Sequence, residues 1–282
     1  MQSVDIEGVT LHLAHPEQLP LAWVGQRELM DQMMAAWMVI DDDDLPLNPR
    51  LIGKPGVGKT TLAYAAGRRL GRDVFLFQAT MDTRPEDLLV TPVVSDQGRI
   101  QYMASPVVTA MIQGGVAVLD EGNRMSEKSW ASLAPLLDNR RYVESLVAGI
   151  KIKAHPDFRL VATMNDDAST FEIPEYIHSR LQPQIFIDFP EESEERLILS
   201  QNLPFADDQL LAYVVAFLQL AHQANERYTV RDGINVARYA LKLGRADAAE
   251  GRGQADHRAY LTQAIVMILG PDALEYFPPK TF

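Results

Sequence analysis

Cysteine is absent from all 282 residues, which excludes disulfide scaffolds, thiolate-bound zinc, iron–sulfur clusters and a cysteine nucleophile. The six histidines show no His-Glu-x-x-His spacing, so a metal held mainly by protein ligands is not expected. No apolar run approaches the roughly 20 residues of a membrane span. The opening MQSVDIEGVTLHL lacks the basic start and apolar block of a signal peptide. The reading from these absences is a cytoplasmic protein with no membrane insertion. Positive charge is short as well. With 26 basic against 38 acidic side chains the net charge is −12, which argues against a general nucleic-acid binder, whose affinity comes from Lys and Arg on phosphates. What is present is apolar: 47% of the residues are hydrophobic, enough for a full core in one large domain or a large one plus a small one.

From about Asn48 to Phe189, short apolar strands alternate with helices, an α/β pattern with a mostly parallel sheet. The expected strands are Pro49–Ile52, Val74–Gln78, Val116–Asp120, Phe158–Met164 and Ile185–Asp188. An amphipathic helix, Gln26 to Ile40, precedes them, with Leu29, Met33, Trp37 and Ile40 at helical spacing; the acidic run Asp41 to Asp44 after it reads as solvated. Thr83 to Glu86 fits a capping box, and Ser105-Pro106 opens a helix that Gly114-Gly115 stops. Hairpins are expected around Val93–Met103 and Tyr142–Lys153. After Phe189 the strands stop, and Glu191–Gln201, Asp208–Asn225, Arg231–Leu243 and His257–Leu269 read as helices, with the polar stretch Asp247–Asp256 as a loop. The division is therefore 1–19, whose apolar alternation from Val4 to Leu13 has no evident role, then 20–190 as the α/β domain and 191–282 as a helical one.

The strongest motif is Gly53-Lys-Pro-Gly-Val-Gly-Lys-Thr60, a complete G-x-x-x-x-G-K-[ST] loop between an apolar strand and a helix-forming run. Its glycines let backbone N–H groups curl around phosphate oxygens at the positive end of a helix. The binding set is Gly53, Pro55, Gly56, Val57, Gly58, Lys59, Thr60 and Thr61, with Lys59 on the β and γ phosphates and Thr60 offering its hydroxyl to Mg²⁺. A second motif, Val116-Ala-Val-Leu-Asp-Glu121, is a buried strand ending in two acids where open α/β sheets place their ligands. Asp120 would hold the magnesium through water, and Glu121 would act as general base on the attacking water.

With these residues in place, the chain resembles the AAA+ ATPases, specifically their MoxR-like and dynein-related branch, from about Trp23 to the last helices. Leu119-Asp-Glu-Gly-Asn-Arg124 is similar to the branch's extended magnesium motif, and Leu136-Leu-Asp-Asn-Arg-Arg141 followed by His155 to Asn165 is similar to its run into the fourth strand. The resemblance implies a P-loop α/β/α core with a parallel five-stranded sheet and a small helical lid. It also implies ATP and Mg²⁺ as cofactors, and a homo-oligomeric, hexameric ring. In it, Val24 and Gly25, with Gln26, stand where the family contacts adenine, Asn165 where it keeps a polar sensor, Arg180 at its arginine finger and Arg231 at its second sensor. The hairpins correspond to the branch's inserts, which face the ring's pore, with Tyr102 and Met103 as candidate substrate contacts. Two residues depart from the pattern: Gly122 replaces a larger apolar residue, and Lys54 adds a positive charge near the phosphates.

The function implied is Mg²⁺-dependent ATP hydrolysis that remodels or matures a partner protein, one with a von Willebrand A domain among the candidates. Two alternatives stand beside it: a nucleic-acid-directed motor subunit, which the acidic balance disfavours, and a nucleotide-gated scaffold with little turnover, which the intact Glu121, Asn165 and Arg180 disfavour.

Overall fold

The computed structural model describes residues 2–20, 23–166, 172–251 and 256–279. Among these residues the chain divides into two compact units. The first contains Met1–Trp23, Arg27–Gly53 and Gly58–Ile187; the second contains Val24–Gln26, Lys54–Val57 and Asp188–Phe282.

The first unit is built on β3 (Arg50–Gly53), β4 (Val74–Gln78), β7 (Val116–Asp120), β10 (Arg159–Asn165) and β11 (Gln184–Phe186). These form a five-stranded sheet in the order β11-β3-β10-β7-β4, with every pair parallel. The five strands stand at the positions their apolar runs indicate, and β7 and β10 are the most buried, as continuous apolar runs require in a sheet covered on both faces. Helices α2 (Lys59–Arg69) and α4 (Pro106–Gln113) pack against this sheet. Ser105 caps α4 by accepting from Val108 N at 3.1 Å, and Gly114 ends it with φ 72°, the left-handed turn that a glycine adopts without a Cβ clash. α1 (Arg27–Trp37) buries Met30, Met33, Ala36 and Trp37, a slightly shifted version of the expected stripe.

Both expected hairpins form. β5 (Val90–Val94) pairs with β6 (Ile100–Ala104), and β8 (Tyr142–Ser145) with β9 (Ile150–Lys153), all antiparallel. The first hairpin is larger than its sequence suggests. β1 (Ser3–Ile6) and β2 (Val9–His12) form a further hairpin, and β2 joins β6 in parallel, giving a four-stranded sheet β1-β2-β6-β5. The apolar alternation of the N-terminal segment thus buries Leu11 and Leu13 against the core of this unit. Tyr102 and Met103 lie mid-strand opposite Leu11 and His12, whereas the outward apolar residues of the hairpin are Val93, Val94 and Ile100.

The expected capping box is displaced by one residue. α3 (Pro85–Leu88) has Arg84 at its N-cap, and Asp87, not Glu86, accepts the cap N–H at 2.9 Å. The Thr83 hydroxyl instead accepts from Thr80 N at 2.8 Å, so the local side-chain bond that would have capped the helix closes the preceding turn.

The helical unit holds α7 (Glu192–Asn202), α8 (Asp208–Gln223), α9 (Val230–Ala249) and α10 (His257–Leu269), followed by a 3-10 turn over Pro271–Tyr276. Leu199, Leu210, Val214, Phe217, Leu218, Val236, Leu261 and Ile265 are central to its own core. The loop expected from Asp247 begins later, because α9 runs on to Ala249; Ala246, Ala248 and Ala249 favour helix over turn. Residues 252–255 of that stretch lie outside the described residues.

Candidate functional site

In the first unit the parallel register brings the carboxyl ends of three strands together. Asn165, the last residue of β10, lies opposite Gly53, the last of β3, and Ala162 lies opposite Leu119, one residue before Asp120. Gly53 leads into the glycine-rich loop, and α2 begins at Lys59. The first intrahelical bond is Leu62 N to Gly58 O at 2.9 Å, so the amides of Lys59, Thr60 and Thr61 precede the helical ladder and are left for an anion. Gly58 has φ 102°, and a Cβ there would lie 3.2 Å from the Trp23 ring; glycine satisfies both the backbone and the space.

Thr60 and Asp120, expected together as magnesium ligands, are in contact: the Thr60 hydroxyl donates to Asp120 Oδ1 at 2.7 Å. A third residue joins them. The Thr163 hydroxyl donates to the same oxygen at 2.6 Å and accepts from Glu121 N at 3.0 Å. Thr163 thereby ties both acids to β10. It escapes sequence reasoning because it lies inside an apolar strand, where a threonine reads as a β-former.

Glu121 and Asn165 also meet, with Asn165 Nδ2 donating to Glu121 Oε1 at 3.2 Å. The other carboxylate oxygen, Oε2, lies 2.5 Å from Arg124 Nε. Glu121 has φ 54°, a left-handed backbone uncommon for a side-chain-bearing residue and frequent where a functional group is held in a fixed place. The Asn123 side chain braces the arrangement, donating to Asn165 O at 2.8 Å and accepting from Asn165 N at 3.3 Å. Gly122 fits tightly, since a Cβ there would lie 3.2 Å from Trp130. Arg124 had a signal in the sequence: it stands three residues after Glu121, a spacing at which side chains meet across a helical turn. Lys59 is buried, and its ammonium donates to Gly53 O at 2.7 Å.

Arg180 belongs to a different neighbourhood of the same unit. It lies two residues beyond α6 (Glu175–His178), not on the helix as its sequence suggested. Its Nη1 donates to Tyr176 O at 2.6 Å, and its Nε lies 3.4 Å from Asp138 Oδ2. Asp138 also binds Arg140 at 2.8 Å. Hydrogen bonding from Arg140, with a smaller attraction from Arg180, holds the Asp138 carboxyl down at about 2. A cavity of about 430 Å³ opens here, between Asp44, Pro46, Asp138, Arg141 and Arg180.

The remaining expected residues fall in the second unit. Gly25 has φ 74°, and Gln26 N donates to Glu194 Oε1 at 2.6 Å, so α7 holds the Val24-Gly25-Gln26 segment. Pro55, Gly56 and Val57 are grouped with these helices. Gly56 abuts the start of α9, where a Cβ would lie 2.7 Å from Thr229 Oγ1. Arg231 is exposed in the first turn of α9.

The AAA domain of the dynein-related subfamily matches residues 50–181. That span starts at β3 and ends just past Arg180, so it includes the glycine-rich loop, both acids, Asn165 and Arg180. Residues 50–181 form an AAA domain of the dynein-related subfamily. The protein MoxR of Paracoccus denitrificans is 30% identical over 163 residues, spanning 57% of this chain and 47% of MoxR. The chain thus spans about half the length of that relative. An uncharacterized protein of Staphylococcus haemolyticus is 27% identical over 179 residues, 62% of this chain and 68% of its own. Among solved structures, the Thermotoga maritima RuvB Holliday junction branch migration motor superposes with a TM-score of 0.58 at 15% identity, covering 86% of this chain and 70% of that one. The fold is that of the P-loop AAA+ proteins, an α/β core followed by a helical region.

Proposed function

We propose that the chain binds ATP with Mg²⁺ and hydrolyses it in a ring of identical subunits, and that the cycle remodels or matures a partner protein. The observation that carries this reading is the bonded set Thr60–Asp120–Thr163–Glu121–Asn165 at the carboxyl edge of the parallel sheet.

Each member has a task. The amides of the glycine-rich loop and the start of α2, with Lys59, hold the phosphates. Thr60 and Asp120 would hold Mg²⁺. Their oxygens suit a hard cation, and the Thr60 hydroxyl, whose O–H points to Asp120, keeps its lone pairs for the metal. No group of three or more His, Asp or Glu that could hold a metal ion occurs among the described residues. An ion there would be carried largely by phosphates and water, and would supply charge neutralisation for the transferred phosphoryl group. Glu121 takes the proton from a water whose oxygen attacks the γ-phosphorus as the bond to the β–γ bridging oxygen breaks. Asn165 fixes the orientation of that carboxylate, and Thr163 fixes the backbone beneath it. Arg231, at the start of α9, would sense the γ-phosphate, and the helices after Pro190 would act as the lid.

The acidic balance supports a protein partner over a nucleic acid, and a von Willebrand A-domain protein is the candidate partner that the MoxR-like resemblance suggests. A salt titration of binding to DNA checks that choice, since a phosphate binder weakens steeply with salt. The direct experiment on the site uses two variants. Lys59→Ala should lose ATP binding, because it removes a ground-state phosphate contact. Glu121→Gln should keep binding and lose about 10²–10⁴ in turnover, the range that a positioned base contributes. Unchanged turnover in Glu121→Gln would remove it as the base.

A further inference from the structure

Lys54 is the residue of the phosphate loop that departs most from the resembled pattern, and its surroundings give it a different task from the one its charge suggests. Its ammonium donates to Asn225 Oδ1 at 3.1 Å and lies 4.7 Å from the centre of the Phe189 ring. Phe189 also stacks on His222: the two ring centres are 3.8 Å apart at an interplanar angle of 8°. The His222 ring in turn meets Tyr228 O through Nε2 at 2.7 Å. Asn225 ends α8 in the left-handed conformation, φ 60°, which asparagine tolerates better than most residues. Thr229 caps α9, its N–H and its hydroxyl both donating to Asp232 Oδ2 at 2.8 and 2.9 Å.

These contacts run without a break from the loop apex to the turn between α8 and α9. Gly56, two residues after Lys54, adds a second point of contact at Thr229. Arg231 lies two residues beyond Thr229, on the helix this turn starts. A lysine directed at phosphate would have no use for an aromatic face and an amide oxygen. A lysine that fastens one piece of protein to another uses both, through a hydrogen bond and a cation–π contact.

We propose that Lys54 is a positioning residue that clamps the α8–α9 turn onto the phosphate-loop apex, and through it sets Arg231 for the γ-phosphate. The role of Arg231 rests on the proposed function; the clamp itself does not.

The test uses the full chain. Arg227 is exposed in the clamped turn, so the rate of tryptic cleavage after it reports opening there. In the absence of nucleotide, Lys54→Ala should raise that rate about 5- to 70-fold, the effect of losing one cation–π contact and one hydrogen bond. Lys54→Arg should restore wild-type resistance, because a guanidinium serves both partners. Phe189→Leu should reproduce the effect with the lysine still present, and the double variant should be little worse than either single one. In ATP turnover, Lys54→Ala should lower kcat with KM held within about 2-fold, whereas a phosphate ligand would raise KM. Unchanged cleavage in Lys54→Ala, or a silent Phe189→Leu, would overturn the clamp. Wild-type protein that turned over no ATP would overturn the proposed function and the link to Arg231, while the nucleotide-free cleavage rates would still decide the clamp.

Discussion

The two neighbourhoods of the α/β unit that carry the expected chemistry differ in how complete they are. At the carboxyl edge of the sheet, Thr60, Asp120, Thr163, Glu121 and Asn165 hold one another within hydrogen-bond distance. That is a preorganised site, whose groups need little rearrangement when charge develops. Around Arg180, the guanidinium is taken up by Asp138 and Tyr176 O, and none of the acids at the sheet edge is among these partners. The difference teaches a division of labour. Under the proposed function, the acids would serve a nucleotide on their own subunit, and Arg180, held by Asp138 and Tyr176 O, would act on a neighbouring one.

The substitution with the largest expected effect removes this arginine. Arg180→Ala should bind nucleotide as the wild type does and lose on the order of 10³–10⁵ in turnover, the range for arginine fingers; equal loss in ATP affinity would place the arginine at its own subunit's nucleotide instead. Thr163→Val attacks the other side of the comparison. It leaves Glu121 N without its acceptor and Asp120 Oδ1 with the Thr60 hydroxyl alone of the two, and an unsatisfied donor costs about 1–3 kcal/mol. Turnover should fall about 10-fold or more with ATP binding largely kept, while Thr163→Ser should recover most of it. Asp138→Asn sharpens the idea of a held arginine. A partly exposed ion pair contributes about 0.2–1 kcal/mol, so releasing Arg180 should raise turnover up to about 5-fold; a fall would show that Asp138 positions Arg180 rather than restraining it. Because the Asp138 carboxyl sits at about 2, this pair persists at all pH values above that and should leave no inflection in a turnover profile between about pH 5 and 9.

The smallest effect lies in the helical unit. Glu195 is fully buried, and burial pushes its carboxyl from 4.5 up to about 7, against the opposing hydrogen bond from Gln219. The folded state therefore holds a proton that the unfolded chain releases, and stability falls as pH rises from about 4.5 through about 7, by at most about 3 kcal/mol. Glu195→Gln should flatten that slope in urea unfolding followed by far-UV circular dichroism; an unchanged slope would assign it to other groups.

The sequence speaks clearly where structure is local and falls silent where it depends on distant pairing. The five sheet strands were readable because each is a short apolar run between turn residues, and the phosphate loop because its glycines and lysine are contiguous. The role of the N-terminal alternation was not readable, since β2 pairs with β6, about 90 residues away, and no periodicity within one segment reveals its partner. Thr163 was hidden for the same reason: its importance comes from the register of β10 beside β7. Arg180 and Asp138 lie over 40 residues apart, so the arginine was visible and its restraint was not. Lys54 stands out in the sequence as an exception, but its charge suggests phosphate, and it is Phe189, His222 and Asn225 in the folded chain that point elsewhere.

On the proposed function, the acids would work within a subunit and Arg180 between subunits. Mixing two inactive proteins tests it most directly. Lys59→Ala retains Arg180 and loses its phosphate site; Arg180→Ala retains the phosphate site and loses the arginine. ATP turnover measured against mixing ratio should appear only in the mixture, be greatest near equal amounts, and rise with total protein concentration. A mixture as inactive as its components, alongside wild-type specific activity that does not change with concentration, would contradict it.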